Sequence, residues 1–419
     1  AKEFAVNPVI IKVLRDTFST LSQRVQFRNQ YTIASQLRSV HVLRPLALER
    51  YDSGYALVTP DEGGVVLSKY WSEYWLQDGH APLREFFGVA IQLAQALHDL
   101  GKQRVIHKDI KPSNILIHPE THHIQLIDFS LSSLLPKEQQ QLANITVLEG
   151  TLPYLSPEQT GRMNRSLDYR TDFYSLGVSF YELLTQQLHF VESAPMALLH
   201  AHLAKMPTPP HEVRDDIPRV LSDIVLKLMA KNAEDRYQSA LGLKHDMEQC
   251  LKAIEEQTET QRENRVEREN RVETDKIERF ELGARDMSDR FLIPEKLYGR
   301  QSEVSELLNA FDRVSGGSTE LVMVTGFSGI GKTAEVNEVH KPITRQQGYF
   351  IQGKFDQLNR NRPFSAFLQA FSSLIEQLLS EPDDQLDLWR TRILKAVGNN
   401  GQVLIDVIPN LGRIIGPRP

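Results

Sequence analysis

The chain has 419 residues, which suggests two or three domains at roughly 150 residues each. Apolar residues make up 41% and charged residues 24%, and that balance excludes collagen, a disulfide scaffold and wholesale disorder. With 48 basic against 54 acidic side chains the net charge is -6, so nothing draws the chain as a whole toward nucleic acid or an acidic membrane. The lone Cys250 fits a reducing compartment. No apolar run approaches the roughly 18–20 residues of a membrane span, and no signal peptide is legible. The chain opens on Ala1 and closes on Pro419, and reads as a piece of something longer.

Three zones separate by composition: 1–252, 253–294 and 295–419. In the first, Val9-Ile10-Ile11-Lys12-Val13-Leu14 predicts a buried strand. Phe87, Ala90, Ile91, Ala94 and Leu97 share a helical face, and Gly101 supplies a stop. Ile115–Ile117 and Ile124–Ile127 predict a hairpin across His118–His123. Phe173–Leu184 predicts a buried helix that Asp172 would cap. Helices also follow around Leu221–Met229 and Ala240–Leu251. Strands first and helices later suggest α+β. The middle zone repeats Arg262–Glu267 in tandem as Arg268–Glu273. It lacks an apolar stripe and reads as a linker, helical or disordered.

Between the helix ending near Gly101 and the hairpin stands His107-Lys108-Asp109-Ile110-Lys111-Pro112-Ser113-Asn114, and the hairpin runs into Asp128-Phe129-Ser130. Two acids, a lysine and an asparagine therefore converge at one sheet edge. Phosphoryl transfer uses such a set: a carboxylate for the attacking hydroxyl, hard oxygens for magnesium, and cations against the charge of the transferring group. The pattern resembles the eukaryotic-type protein kinases. Gly150–Glu158 resembles the end of their activation segment, Asp172–Gly177 their buried anchoring helix, and Asp235-Arg236-Tyr237 the late arginine that pairs with Glu158.

That resemblance, over residues 4–250, implies a bilobal kinase fold with an incomplete N-lobe and binding of ATP with Mg2+. It implies Asp109 as the base or hydroxyl-orienting group, Lys111 on the transferring phosphate, Asn114 and Asp128 as metal ligands, Lys12 on the α- and β-phosphates, and Thr151 as a brace for Asp109 and Lys111. Adenine would lie near Val58–Glu62. The lysine two places after Asp109 implies Ser/Thr acceptors. Four departures stand out. Ser130 replaces a glycine, Lys108 replaces an arginine, and Gln30 stands where a glutamate would pair with Lys12. No G-x-G-x-x-G occurs in the chain.

In the third zone Glu320–Thr325 predicts a buried strand, then Gly326-Phe327-Ser328-Gly329-Ile330-Gly331-Lys332-Thr333, then a helix. This is a phosphate loop in its usual context: glycines aim backbone N–H groups at phosphates, Lys332 reaches the β/γ-phosphates and Thr333 the magnesium. Val403–Asp406 is the one later candidate for the strand and acid that hydrolysis needs, but Val407-Ile408-Pro409 follows it at once instead of a second acid, so the hydrolytic half is expected beyond Pro419. Leu297–Glu303, the loop and Gly353–Gln357 resemble the start of an AAA-type regulatory ATPase, an α/β P-loop fold, here truncated. With Gly161–Arg165, the whole resembles large bacterial signalling kinases of cyanobacterial type, in which sensor and histidine-kinase modules follow.

The sequence therefore predicts a kinase domain over 1–252, a charged linker over 253–294 and the N-terminal part of an ATPase domain over 295–419. The expected activity is cytoplasmic phosphorylation of protein Ser/Thr, the protein itself included, without nucleic acid or a membrane span. The rival is a nucleotide-binding scaffold without phosphotransfer; a third reading gives the P-loop ATPase the main activity. His122, His123, His200 and His202 read as surface histidines, and Trp71, Trp75, Trp389 and Cys250 as packing residues. Ser132, Ser133, Thr146 and Ser156 are weak candidates for phosphorylation.

Overall fold

The computed structural model describes residues 8–14, 21–51, 54–75, 82–135, 150–160, 167–192, 194–263, 281–287, 299–327, 330–337, 349, 351–355, 364–379 and 383–416. They fall into two compact units, one drawn from Ala1–Val191 and Lys205–Lys296, the other from Glu192–Ala204 and Leu297–Pro419.

The first unit begins with β1 (Val9–Val13), α1 (Leu21–Ala34), β2 (Ala47–Tyr51) and β3 (Gly54–Pro60), which form an antiparallel sheet in the order β1-β3-β2. β1 was expected to be buried, yet it is exposed along its length. It is an edge strand, and among the described residues nothing pairs with its outer side. β4 (Val65–Val66) and α2 (Leu67–Tyr70) lead to α3 (Leu83–Lys102). The apolar face of α3, from Phe86 to Leu100, is buried. Gly101 lies inside its last turn, and the left-handed residue that turns the chain is Arg104, at φ 62.

β5 (Val105–Ile106) pairs with β8 (Ser133–Leu134), and between them β6 (Ile115–Ile117) and β7 (Ile124–Leu126) make the expected hairpin in the register Ile115↔Leu126. α4 (Arg170–Thr185) is buried on nearly every side, its polar residues Arg170, Asp172, Ser175 and Ser179 included. α5 (Pro195–Ala204) belongs to the other unit; α6 (Pro210–Val213), α7 (Arg219–Leu228) and α8 (Ala240–Glu263) complete the helical part of the first. One continuous core joins α3, β6, β7, α4, α7 and α8. Cys250 sits inside it, and burial pushes its thiol up to about 12, consistent with packing.

The second unit continues with α9 (Gln301–Ser315), α10 (Lys332–Asn337), α11 (Ser365–Leu378), α12 (Asp383–Val397), α13 (Gly401–Val407) and α14 (Gly412–Ile415), with a small core around Ile375, Leu378, Leu411 and Ile414. One sequence expectation fails here, and the disfavoured candidate strand at 403–406 is ruled out. Residues 318–327 form no strand, and Leu321 is 93% exposed. A strand exists only where a neighbour takes its hydrogen bonds, and among the described residues none does. Val403–Asp406 is helical, within α13, and Asp406 accepts a bond from Gln402 one turn earlier. Among the described residues no helix is long and apolar enough to cross a membrane.

Candidate active site

The loop between β5 and β6 carries Asp109 and is held from below by α4. Asp172 does not cap that helix. It lies in its first turn, and its two carboxylate oxygens accept the backbone N–H groups of His107 and Lys108, both at 2.8 Å. This grip fixes Lys108 at φ 69, a strained conformation for a side chain with a β-carbon. Gln159 adds a bond to the Lys108 carbonyl. Burial pushes the Asp172 carboxyl up to about 7, against the two backbone donors.

His107 is fully buried and stays neutral, because burial lowers its pKa. Its Nδ1 accepts the Asp109 N–H, so Nε2 carries the proton and donates to the Ile127 carbonyl at 3.1 Å. The charges of Asp109 and Asp128 oppose the downward shift of this imidazole without reversing it.

Asp109 is held from opposite sides. Oδ2 accepts Lys111 Nζ at 2.7 Å and Asn114 Nδ2 at 2.8 Å; Oδ1 accepts Thr151 Oγ1 at 2.8 Å and Thr151 N at 3.1 Å. Lys111 Nζ also donates to Thr151 Oγ1, closing a ring of polar contacts. Asn114 spends its amide N–H groups on Asp109, which leaves its carbonyl oxygen to face other partners.

Asp128, at φ 63, precedes a short turn Phe129–Leu131. The left-handed residue is thus Asp128 and not Ser130, so the missing glycine costs no strain. Burial raises the Asp128 carboxyl, but the Lys12 charge and hydrogen bonding with Ser130 and Lys12 outweigh it, and the net shift is downward. Its Oδ2 lies 3.3 Å from Lys12 Nζ, which in turn reaches Gln30 Oε1 at 3.2 Å. Lys12 stands on β1 and Gln30 on α1, so the expected pairing is present without its negative charge. Asp128 Oδ1 is buried without a well-formed hydrogen bond among the described residues. A small cleft opens there, lined by Gln30, Leu57, Thr59, Asp128 and Phe129 among others. Thr59 lies in the Val58–Glu62 stretch expected beside adenine.

Sequence reasoning missed Asn29. Its amide donates to the carbonyls of Ser130 and Ser132 at 3.0 and 2.8 Å, tying α1 to the turn after Asp128. Nothing in the sequence marks an asparagine for backbone carbonyls 101 and 103 residues away. The expected Glu158–Arg236 pair is present, bidentate at 2.7 and 2.8 Å and fully buried.

In the second unit Lys332, the first residue of α10, donates to the carbonyls of Gly326 and Phe327, folding the loop onto itself. Arg300 reaches Glu335 and the Ile330 carbonyl across the same turn, and Gly331 is left-handed at φ 100. Gly329, the side chain of Thr333, Gly161–Arg165, Thr146 and the tandem repeat beyond Glu263 lie outside the described residues.

Comparison with known proteins agrees with this geometry. The protein kinase domain family matches residues 3–269. The chain belongs to the protein kinase family. The AAA ATPase domain family matches residues 296–415, so both halves fall in ATP-using families. The hybrid signal transduction histidine kinase G of Dictyostelium discoideum is 33% identical over 404 residues, covering 80% of this chain and 12% of that protein. A probable serine/threonine-protein kinase of Clostridium perfringens is 30% identical over 250 residues, 58% of this chain and 34% of that one. Serine/threonine-protein kinase PknB of Mycobacterium leprae is 31% identical over 245 residues, 57% and 38% of the two chains. The chain thus spans only 12% to 38% of the length of these relatives.

Proposed function

We propose that the first unit transfers the γ-phosphate of ATP to seryl or threonyl hydroxyls of proteins, itself among them, with the second unit as an attached nucleotide-binding regulator. The observation that carries this is the ring Asp109–Lys111–Thr151, with Asn114 on the same carboxylate oxygen as Lys111. A carboxylate so held has a fixed direction in which to receive a hydroxyl. Asp109 orients the acceptor O–H and takes its proton as the O–P bond forms; the bond to the β-phosphate oxygen breaks and ADP leaves. Lys111 offsets the charge of the moving phosphoryl group, and Lys12 is the cation for the phosphates behind it.

The buried Asp128 Oδ1 and the uncommitted carbonyl of Asn114 fit a hard divalent cation such as Mg2+. That ion would neutralise phosphate charge; in the second unit Thr333 is its expected ligand. ATP places the reaction in the cytoplasm, and sensor or histidine-kinase modules in the same protein are the expected signalling partners.

Radiolabel transfer by the protein that carries this chain tests the reading. Asp109→Asn is expected to lower it by about 10²–10⁴-fold, and Asp128→Asn to abolish it. Unchanged transfer in both variants would remove these residues from the mechanism. One observation favours the scaffold reading: Lys12 rests against Asp128 and a neutral amide. ATP binding that requires magnesium, with no transfer to any protein, would establish it.

A further inference from the structure

The zone read as a linker to residue 294 contains a segment that is bound to the kinase unit. Residues 281–287 lie on the start of α8. Asp286 accepts the backbone N–H of Gln238 at 2.8 Å and of Ser239 at 2.7 Å, and the Ser239 hydroxyl at 3.0 Å. Ser239 in turn takes the N–H of Gly242, so Asp286 completes the N-terminal cap of α8 and brings negative charge to its positive end. Asp246 of α8, fully buried, accepts the Gly283 N–H at 2.8 Å and the Tyr237 hydroxyl at 2.6 Å. Leu282 packs against the main core.

The helix is shaped for this guest. A β-carbon on Gly242 would stand 2.6 Å from Asp286 Oδ1 and 2.7 Å from its Cα. A glycine in a helix costs about 0.5–1 kcal/mol against alanine, and here it makes room for the segment. Gly283 is left-handed at φ 79, and a β-carbon on it would collide with Lys227 Nζ.

The residue that Asp286 grips leads to the activation segment. Gln238 donates through its side chain to the carbonyls of Ala233, Glu234 and Arg236, and accepts Arg170 Nη1 at 2.7 Å. Arg236 then holds Glu158 and the Arg170 carbonyl.

We propose that residues 281–287 are a strap for which the kinase unit has a built docking site, and that Asp286 is a positioning residue which, through Gln238 and Arg236, steadies the end of the activation segment where a protein substrate binds. The second half of this rests on the kinase reading above. Release of the strap loosens protein-substrate binding and leaves ATP binding alone.

Asp286→Ala and Gly242→Ala in the whole chain test it. Amide hydrogen exchange at Gln238 and Ser239 is expected to rise about tenfold or more in both, since hydrogen bonds to a charged acceptor are lost. Gly242→Ala is the second variant because it improves the helix itself; on the Asp286→Ala background, where the strap is off, its effect on the melting temperature changes sign from loss to gain. In phosphotransfer, KM for a protein substrate is expected to rise about three- to tenfold with KM for ATP unchanged, and Asp286→Asn, which keeps one acceptor oxygen, restores part of the loss. Unchanged exchange at 238 and 239 overturns the strap. Raised exchange with an unchanged protein-substrate KM overturns the positioning role. A wild-type protein that phosphorylates nothing refutes the kinase reading instead, while the exchange measurement still decides the docking.

Discussion

The two regions proposed to handle phosphate are built differently. Around Asp109 local contacts from Lys111 and Asn114 are joined by partners far away in sequence: Thr151 from 42 residues on, Asp172 from 65 residues beyond His107, Lys12 from 116 before Asp128. Around Lys332 the lysine touches only carbonyls five and six residues back, and the segment leading into the loop is exposed. The first site is part of the core that stabilises its unit. The second is an exposed loop whose one long-range tie among the described residues is Arg300, which reaches Glu335 and the Ile330 carbonyl. Removing motif residues should therefore destabilise the first region and leave the second standing.

Arg236→Ala is expected to break the comparison open most widely. It takes the guanidinium away from the buried Glu158 carboxylate and leaves the Thr171 hydroxyl, a neutral donor, in its place, which costs about 3–5 kcal/mol. The midpoint of urea unfolding of the first unit checks this. A loss below about 1 kcal/mol would mean that the pair behaves as a surface ion pair despite its burial.

Asp172→Asn comes next, at about 1–3 kcal/mol, because one of the two backbone donors from His107 and Lys108 would face an amide N–H. Its pH signature is specific. The folded carboxyl ionises near 7 and the ordinary value is 3.8. The unfolded chain therefore releases its proton first, and stability contributed by the neutral form is full below 3.8 and lost as pH rises toward 7. Stability measured between those limits should fall with pH in the native protein and fall less in Asp172→Asn.

How much of this was legible in the sequence follows the same divide. That Asp109, Lys111, Asn114 and Thr151 gather was readable because phosphoryl transfer restricts residue type at fixed spacing, and the hairpin and α4 were readable from period and turn residues. What was not legible was what the backbone asks of side chains at a distance. Asp172 looked like a helix cap, since an acid before an apolar helix usually is one, but its oxygens serve a loop 65 residues earlier. Asn29 and Asp286 are ordinary polar residues until the fold places carbonyls or N–H groups before them. The Val-Ile-Ile run of β1 and the Leu-Val-Met-Val run before the phosphate loop carry strand propensity alike, yet among the described residues only β1 pairs with another strand. Propensity without a neighbour does not make a sheet. Val403–Asp406 failed for the complementary reason: a short apolar run carries no period and suits a helix equally.

Gln30→Glu sharpens the comparison within the first site. The new charge would stand where Gln30 Oε1 now lies, 3.2 Å from Lys12 Nζ, and draw the lysine from Asp128. Lys12 is half-exposed but position 30 is buried, so the pair is set against the burial of the new carboxylate and stability should change by about 1 kcal/mol or less while KM for ATP falls by a few-fold. An unchanged KM would show that the neutral amide already positions Lys12 fully.

Lys332→Ala is expected to have the smallest effect on stability, within about 0.5 kcal/mol, as for exposed positions generally. The lysine's bonds go to loop carbonyls in contact with solvent, and those carbonyls can turn to water when it is removed. Nucleotide binding is another matter: the same Nζ is the cation that a triphosphate in the Gly326–Thr333 loop would draw away from Gly326 and Phe327. Fluorescent-nucleotide titration should therefore show loss of one class of site, with the melting curve superimposable on that of the native chain and transfer by Asp109 still measurable. A melting shift of several degrees would mean that the loop bears on folding after all, and that the contrast between a site made by the core and a site made by a loop does not hold.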